Sequence, residues 1–295
     1  MTANSPEERT AAAISKAAEN LPGSLADKSA RFGVAAIQMV STASLAHNIA
    51  AASRLVADAA RQGAQLVLLP EYWPIMGLHE ADKIALAEQP EIGPIQRCMA
   101  DLARQHSIWI IGGTLPMAAN EAGKIRNSTL VYNPAGECVV RYDKMHLFSF
   151  SRGDEAYDEA RTIAPGGEVV TFEAPFGRVG LSVCYDLRFP ELYRALGQCA
   201  LIVVPAAFTY TTGQAHWELL LRARAIENQC YVLAAAQGGQ HENGRRTWGH
   251  SMLIDPWGEI KAVLAEGEGV VCGHLDLAFL ESVRVSLPAL QHRRM

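Results

Sequence analysis

The sequence contains no block of basic residues, no long apolar run and no closely spaced cysteines, and each absence excludes a class of protein. Lysine and arginine total 26 against 31 aspartate and glutamate residues, which gives a net charge of −5. A chain with this balance and no basic patch is not expected to bind nucleic acid. Because no apolar run approaches the roughly 18 residues of a membrane-spanning helix, no membrane partner is expected either.

Cysteine and histidine are present, but not at the spacings that hold metals or form disulfide frameworks. None of the 6 cysteines forms a C-x-x-C pair, and the 9 histidines include no H-E-x-x-H pattern. We therefore expect no metal and no cofactor. The N-terminus lacks the positive start and apolar core of a secretory signal, which predicts a cytoplasmic protein with free thiols. The cysteines are Cys98, Cys138, Cys184, Cys199, Cys230 and Cys272.

The first 30 residues differ in composition from the rest of the chain. They are rich in alanine and serine, and Ser5 and Glu8 fit a capping box that opens a short helix ending near Pro22. We interpret residues 1–30 as an N-terminal extension and residues 31–295 as the functional domain. With 49% hydrophobic residues in the chain, that domain is long enough to bury a substantial core.

Apolar strands alternate with helical patterns from residue 32 onward. Residues 34–39 and 66–70 are apolar runs typical of buried strands, and residues 45–59 between them carry apolar side chains at helical spacing. Residues 128–133 and 138–142 form a strand-turn-strand pattern. Helix-separated strands combined with hairpins predict an α/β fold in which mixed sheets are covered by helices. Further strands are predicted at residues 108–113, 169–172, 179–184, 201–205, 231–236, 252–254 and 260–264, and further helices at 95–105 and 216–229.

Three chemically compatible residues follow predicted strands. Glu71, Lys144 and Cys184 each stand at the end of an apolar strand pattern. Functional side chains in open α/β sheets collect at the carboxyl ends of strands, so the three residues predict one shared site. Cys184 also shortly precedes Pro190, which fits the first turn of a helix. The N-terminal amides of a helix favour negative charge, as on a thiolate.

A thiol, an amine and a carboxylate together suit acyl transfer at an amide carbon. A free thiol has a pKa of about 8.5. We expect Lys144 to lower the pKa of Cys184, and Glu71 to accept the thiol proton and return it to a leaving amine. Each residue also has an ordinary structural interpretation: core filling for the cysteine, capping for the glutamate and a solvated charge for the lysine. Their joint pattern favours catalysis.

Three segments resemble the signatures of the carbon–nitrogen hydrolase (nitrilase) superfamily. The segments are Leu-Leu-Pro-Glu at residues 68–71, Tyr-Asp-Lys-Met-His-Leu-Phe at 142–148 and Gly-Leu-Ser-Val-Cys-Tyr-Asp-Leu-Arg-Phe-Pro-Glu at 180–191. The resemblance implies a four-layer αββα sandwich and a Glu71, Lys144 and Cys184 triad. It gives Glu159 the place of a second glutamate that many members carry. It also implies dimerisation through helices near the nucleophile.

Within the family, residues 215–220 are typical of the Nit branch generally, including its ω-amidases. Residues 221–232 and 234–237 resemble more closely its deaminated-glutathione amidases, and residues 249–251 and 287–294 agree with that likeness. This implies a thiol-dependent amidase that hydrolyses a small carboxamide to a carboxylate and ammonia through a cysteine thioester. The expected partners are the amide substrate and further copies of the chain, as a homodimer or larger homo-oligomer. The expected substrate-binding residues are Tyr185, Arg188, His216 and Glu218.

Several alternatives stay open at this level. An ω-amidase acting on short 2-oxo-acid amides, or another aliphatic amidase, would use the same triad. Residues 149–151 read Ser-Phe-Ser where many relatives carry an aspartate. Because this loop is expected to border the site, the departure bears most on the identity of the substrate. A Cys-His hydrolase is disfavoured because its glycine-flanked elbow is absent. A non-catalytic binding protein on the same fold is a remote alternative. Arg222, Arg245 and Arg246 compete with Arg188 for a substrate carboxylate.

Overall fold

In the computed structural model, which describes residues 31–153 and 155–294, two β-sheets lie face to face between layers of helices. The strands of the described residues are β1 (Arg31–Gln38), β2 (Leu66–Leu68), β3 (Trp109–Ile111), β4 (Leu115–Ala118), β5 (Ile125–Tyr132), β6 (Cys138–Asp143), β7 (Ser149–Arg152), β8 (Glu155–Asp158), β9 (Thr171–Ala174), β10 (Gly177–Leu181), β11 (Leu201–Ala206), β12 (Tyr231–Ala236), β13 (Ser251–Ile254), β14 (Ile260–Leu264) and β15 (Gly269–Asp276).

Both large sheets mix parallel and antiparallel strands. The first has 7 strands in the order β15-β1-β2-β3-β5-β4, with β6 also paired to β5, and the second has 6 in the order β14-β13-β12-β11-β10-β9. The central strands β1, β2 and β3 run parallel, as do β10, β11 and β12. Strands β7 and β8 form a separate hairpin. The predicted mixed sheets are confirmed.

Helices cover the outer faces of the sheets. The α-helices of the described residues are α1 (Leu45–Arg61), α2 (Glu80–Ala85), α3 (Pro94–His106), α4 (Pro190–Ala195), α5 (Tyr210–Asn228) and α6 (Leu277–Ser286), and short 3-10 helices span Glu159–Arg161, Cys184–Arg188 and Ala289–His292. Helix α5 begins earlier than the predicted start at residue 216. It does so because the Thr209 side chain accepts a hydrogen bond from the Thr212 N–H and caps the helix there.

The alternation of side chains along β1 builds the central layers. Val34 and Ala36 pack in the core between the two sheets, whereas Ala35 and Ile37 face a second core formed with α1 and α3. All four side chains are fully buried. Fully burying a valine or isoleucine contributes about 1.5–3 kcal/mol, so a one-residue slip of β1 would disrupt both cores.

Helix α5 covers the outer face of the second sheet. Trp217, Leu221 and Ala225 recur every four residues, are fully buried, and belong to the same core as β11 and β12. Helices, sheet, sheet and helices thus form four layers, which confirms the αββα sandwich. No helix in the described ranges is both long and apolar enough to span a membrane. The helix predicted near Ser5, and the N-terminal extension to which it belongs, lie outside the described residues.

Candidate active site

Glu71 lies in the turn that follows β2 and is almost completely buried. Its Oε1 accepts hydrogen bonds from Lys144 Nζ at 2.9 Å and Asn127 Nδ2 at 3.0 Å. Its Oε2 accepts from the Ala207 N–H at 2.8 Å, at the end of β11. These donors come from both sheets, so the carboxylate is held at the place where the two sheets meet. The Cys184 thiol also hydrogen-bonds to the Glu71 side chain, which places this carboxylate to accept the thiol proton.

Lys144 directly follows β6, and its ammonium is enclosed by two carboxylates. Its Nζ lies 2.9 Å from Glu71 Oε1 and 2.7 and 3.0 Å from the two oxygens of Glu159. Glu159 also accepts from the Tyr72 hydroxyl and from the Phe148 N–H, both at 2.8 Å. Both oxygens of Glu159 are therefore occupied, which makes this residue a fixed partner of the lysine.

Charge compensation keeps this buried lysine ionised. Burial opposes the charge on Lys144, but Glu159 and then Glu71 outweigh it and raise the pKa of the amine. Burial also opposes the charge on Glu159, but Lys144 outweighs it and lowers the pKa of this carboxyl. Burial, followed by the charge of Glu159, raises the pKa of Tyr72, so its hydroxyl remains a donor.

Cys184 stands at a strained turn between β10 and α4. Its φ of 49° places a non-glycine residue in the left-handed region, a conformation concentrated at functional sites. The residue opens the 3-10 helix Cys184–Arg188. The following Tyr185 N–H lies in the first turn of that helix, where N–H groups lack partners within the helix. The turn thus places a sulfur beside a backbone donor.

Asp186 joins the cysteine turn to the lysine segment. This fully buried carboxylate accepts from the Val183 N–H at 2.8 Å and from the Tyr142 hydroxyl at 2.6 Å. It also contacts both the N–H and Nδ1 of His146, at 3.0 and 2.7 Å. Tyr142 and His146 flank the lysine, and Val183 and Asp186 flank the cysteine. The network therefore fixes the two segments relative to each other.

The net shift in the pKa of Cys184 is upward, although Lys144 lowers it as expected. Burial and the negative charge of Glu71 raise the pKa of the thiol, and the opposing effect of Lys144 does not outweigh them. Lys144 therefore acts on the thiol in the expected direction, but burial and Glu71 outweigh it. Two carboxylates already balance the lysine charge, and the direction of the shift favours the thiol over the thiolate, so attack by the sulfur calls for a base.

A small cavity lies against the cysteine and both glutamates. Cys184, Glu71 and Glu159 line it together with Tyr185 and Arg188, two of the expected substrate-binding residues. The structure thus brings the four expected catalytic residues together, since Lys144 bonds to both lining glutamates. The other lining residues are Phe148, Ala207, Phe208, Thr209, Thr212 and Arg245.

His216 and Glu218 lie outside the cavity lining. His216 is exposed on α5, and its Nδ1 lies 3.2 Å from an Nη of Arg188, so it reaches the cavity only through that arginine. Glu218 is exposed and pairs with Arg222 at 3.4 Å, one helical turn away. Its side chain points away from the core because neighbouring Trp217 occupies the buried face of α5. The structure does not place Glu218 at the cavity.

Sequence reasoning missed several residues that hold the site. Asn127, Tyr72 and Ala207 contact the two glutamates, yet they carry no signal beyond their place next to predicted strand ends. Among the competing arginines, only Arg188 and Arg245 line the cavity. Within the described part of the chain, no group of three or more His, Cys, Asp or Glu residues could hold a metal ion.

Comparison with known proteins places this geometry in a family. The family model described as carbon-nitrogen hydrolase matches residues 33–285. A deaminated glutathione amidase of Yersinia enterocolitica is 41% identical over 88% of this chain and 92% of its own length. The omega-amidase NIT2 of Mus musculus is 37% identical over 89% and 95%. The structure of Saccharomyces cerevisiae Nit3, a member of branch 10 of the nitrilase superfamily, superposes with a TM-score of 0.81 at 29% identity, covering 90% of this chain and 97% of that one. The chain therefore belongs to the carbon–nitrogen hydrolase family.

Proposed function

We propose that this protein is an amidase in which Cys184 forms a thioester with the acyl group of its substrate. The observation that carries the proposal is the buried ion-pair cluster of Lys144 with Glu71 and Glu159, at the wall of the cavity that Cys184 lines. A fixed cation, a carboxylate with a free acceptor position and a thiol are the groups that acyl transfer requires.

In the acylation half, the Cys184 sulfur attacks the amide carbon while its proton passes to Glu71. The raised pKa of the thiol makes this transfer necessary, and Oε2 of Glu71 has room to accept the proton. Negative charge develops on the carbonyl oxygen. The Tyr185 N–H and the positive charge of Lys144 would stabilise it. The C–N bond then breaks, and the leaving nitrogen takes the proton from Glu71.

In the deacylation half, water attacks the thioester carbon. Glu71 accepts a proton from the water and delivers it to the sulfur as the C–S bond breaks, which releases the carboxylic acid product and restores the thiol. Glu159 does not act as a base in this scheme, because Lys144, Tyr72 and Phe148 occupy both of its oxygens. Its role is to orient the lysine.

We propose deaminated glutathione as the substrate, with a 2-oxo-acid ω-amide as the alternative. Relatives named for each activity are similar to this chain. Both compounds carry carboxylates, and Arg188 in the cavity supports an anionic substrate. Deaminated glutathione has no primary amide, so its cleavage next to the deaminated residue releases an amine. This corrects the expectation of ammonia for that substrate, while ammonia remains the product from an ω-amide.

The substrate assignment predicts a ratio of specificity constants. We expect kcat/KM for deaminated glutathione to exceed that for 2-oxoglutaramate by about tenfold or more, the scale of a few additional contacts. Formation of 2-oxoglutarate measures both reactions with one readout, because both substrates share that acyl group. A reversed ratio would identify an ω-amidase. If neither substrate yields 2-oxoglutarate, the proposal that this protein is an amidase is contradicted.

We also propose a cytoplasmic homo-oligomer. Large apolar side chains are exposed on α5 and the turn beside it: Leu219 is 71%, Ile226 49% and Trp257 62% exposed. A second copy of the chain would bury them. Molar mass in solution by sedimentation equilibrium is expected to be at least twice the 31.9 kDa of the chain. A single species at the chain mass would contradict the oligomer.

A further inference from the structure

A second, open cavity adjoins the reaction cavity, and we call it the outer groove. Phe148, Glu159 and Arg245 line both cavities and form the boundary between them. The outer groove is larger than the reaction cavity. Its remaining charged or polar wall consists of Glu80, Lys83, Tyr157, Asp158, Arg161 and Thr162.

The acidic residues of the outer groove already have donors within the protein. Glu80 pairs with Lys83 at 3.0 Å. Asp158 accepts from the Ala160 N–H at 3.2 Å. Glu159 is held by the buried ammonium and its two other donors. The three carboxylates therefore already have donors within the protein. Among the basic residues of the groove, Lys83 is the one that a carboxylate of the groove, Glu80, neutralises.

Two basic residues of the outer groove lack an acidic partner in the described part of the chain. The Arg161 side chain is exposed and makes no hydrogen bond or ion pair with another described residue. Arg245 donates from one Nη to the Ala207 carbonyl at 2.7 Å and lies 5.1 Å from the Tyr157 ring centroid. Its Nε is buried without an acceptor. An anionic ligand would satisfy this uncompensated charge.

The position of Arg245 relates the groove to one end of the substrate. Ala207 donates its N–H to Glu71 Oε2 and accepts from Arg245 with its carbonyl. The groove thus opens on the side of the reaction cavity that holds the general base. A departing nitrogen must lie against that base to receive its proton. A substituent on the nitrogen therefore extends past Arg245 into the groove.

We propose that the outer groove binds the leaving-group segment of an extended amide and that Arg161 and Arg245 bind its terminal carboxylate. This deepens the amidase function proposed above and rests on it. It makes the groove the part of the protein that distinguishes a peptide-like amide from a primary amide with the same acyl group. The acyl end would remain in the smaller reaction cavity.

The test compares two substrates in variants at Arg161, which is exposed and bonded to no described residue. Deaminated glutathione and 2-oxoglutaramate share the 2-oxoglutaryl group, but only the first carries a carboxylate-ended leaving group. Arg161→Gln is expected to lower kcat/KM for deaminated glutathione about tenfold, the scale of one charge-assisted hydrogen bond, and to leave 2-oxoglutaramate unchanged. Arg161→Glu should lower it further, and Arg161→Lys should retain most of it.

Arg152→Gln is the matched control, since Arg152 is an exposed arginine of β7 outside the groove lining. It is expected to leave both substrates unchanged. Equal losses for the two substrates, or no loss for deaminated glutathione, would overturn the groove proposal while the amidase stands. Wild-type protein that hydrolyses neither substrate would instead remove the proposed function and the groove with it.

Discussion

Replacing Cys184 by alanine is expected to lower kcat by about 10⁴–10⁶-fold, the scale measured when a catalytic nucleophile is removed. Without the sulfur, no thioester can form, and Lys144 and the Tyr185 N–H have only the direct attack of water to assist. The substitution removes one buried heavy atom beside a cavity, so the free energy of unfolding should change by about 1 kcal/mol or less. Product formation and chemical unfolding measure the two quantities.

Cys199→Ala is the matched control for this substitution. Cys199 is also buried, shortly before β11, but it does not line the reaction cavity. Its replacement should leave kcat within about twofold of wild type, because it touches none of the reacting groups. Turnover of Cys184→Ala at a rate near that of wild type would rule out the thioester mechanism. Intact protein mass spectrometry should show an acyl adduct with wild type and none with Cys184→Ala.

The sequence allows the prediction that the three catalytic residues lie close together, because the topology of the strands determines where each of them lies. Glu71, Lys144 and Cys184 follow β2, β6 and β10, and apolar runs identify those strands in the sequence. The parallel centre of each sheet then brings strand ends together. The predicted bounds of β12 and β14 match the structure, because both strands end at clear turn signals.

The hairpin that carries Glu159 to the lysine could not be predicted in the same way. Strands β7 and β8 are short and half exposed, so they lack the apolar run that marks a buried strand. The sequence around Glu159 reads as an acidic loop, and only the family resemblance assigned it a catalytic place. Of the partners that fix its carboxylate, Phe148 directly precedes the hairpin, whereas Tyr72 lies 87 residues away in the sequence.

The spacing of residues along α5 already indicated that Glu218 faces away from the cavity. Spacing alone indicates an i, i+4 pair of Glu218 with Arg222, and the structure contains that pair on the exposed face. The site-lining interpretation came from resemblance, which does not specify the direction of a side chain. The balance of charges around the thiol is likewise invisible in the sequence, because it depends on how many carboxylates face one lysine.

The balance of charges around the Cys184 thiol determines the expected result for Glu71→Gln. Turnover should fall, whereas the reactivity of the thiol should rise. Loss of the general base should lower kcat by about 10²–10⁴-fold. The negative charge of Glu71 raises the pKa of Cys184, so removing that charge lowers the pKa. At a fixed pH below the pKa of the wild-type thiol, a larger fraction is then thiolate. Alkylation of Cys184 by iodoacetamide should become faster, with its pH profile moved to lower pH.

Peptide mass spectrometry measures the alkylation of each cysteine separately, and Cys138 provides the reference in the same sample. Cys138 is exposed, and Glu71 is not among the charges that act on its pKa, so its alkylation profile should not change. A wild-type profile for Cys184 in Glu71→Gln, or one moved to higher pH, would show that Glu71 does not act on the sulfur. Because a protein distorted by the substitution would lose turnover without a faster-reacting thiol, the two readouts together separate loss of the base from loss of structure.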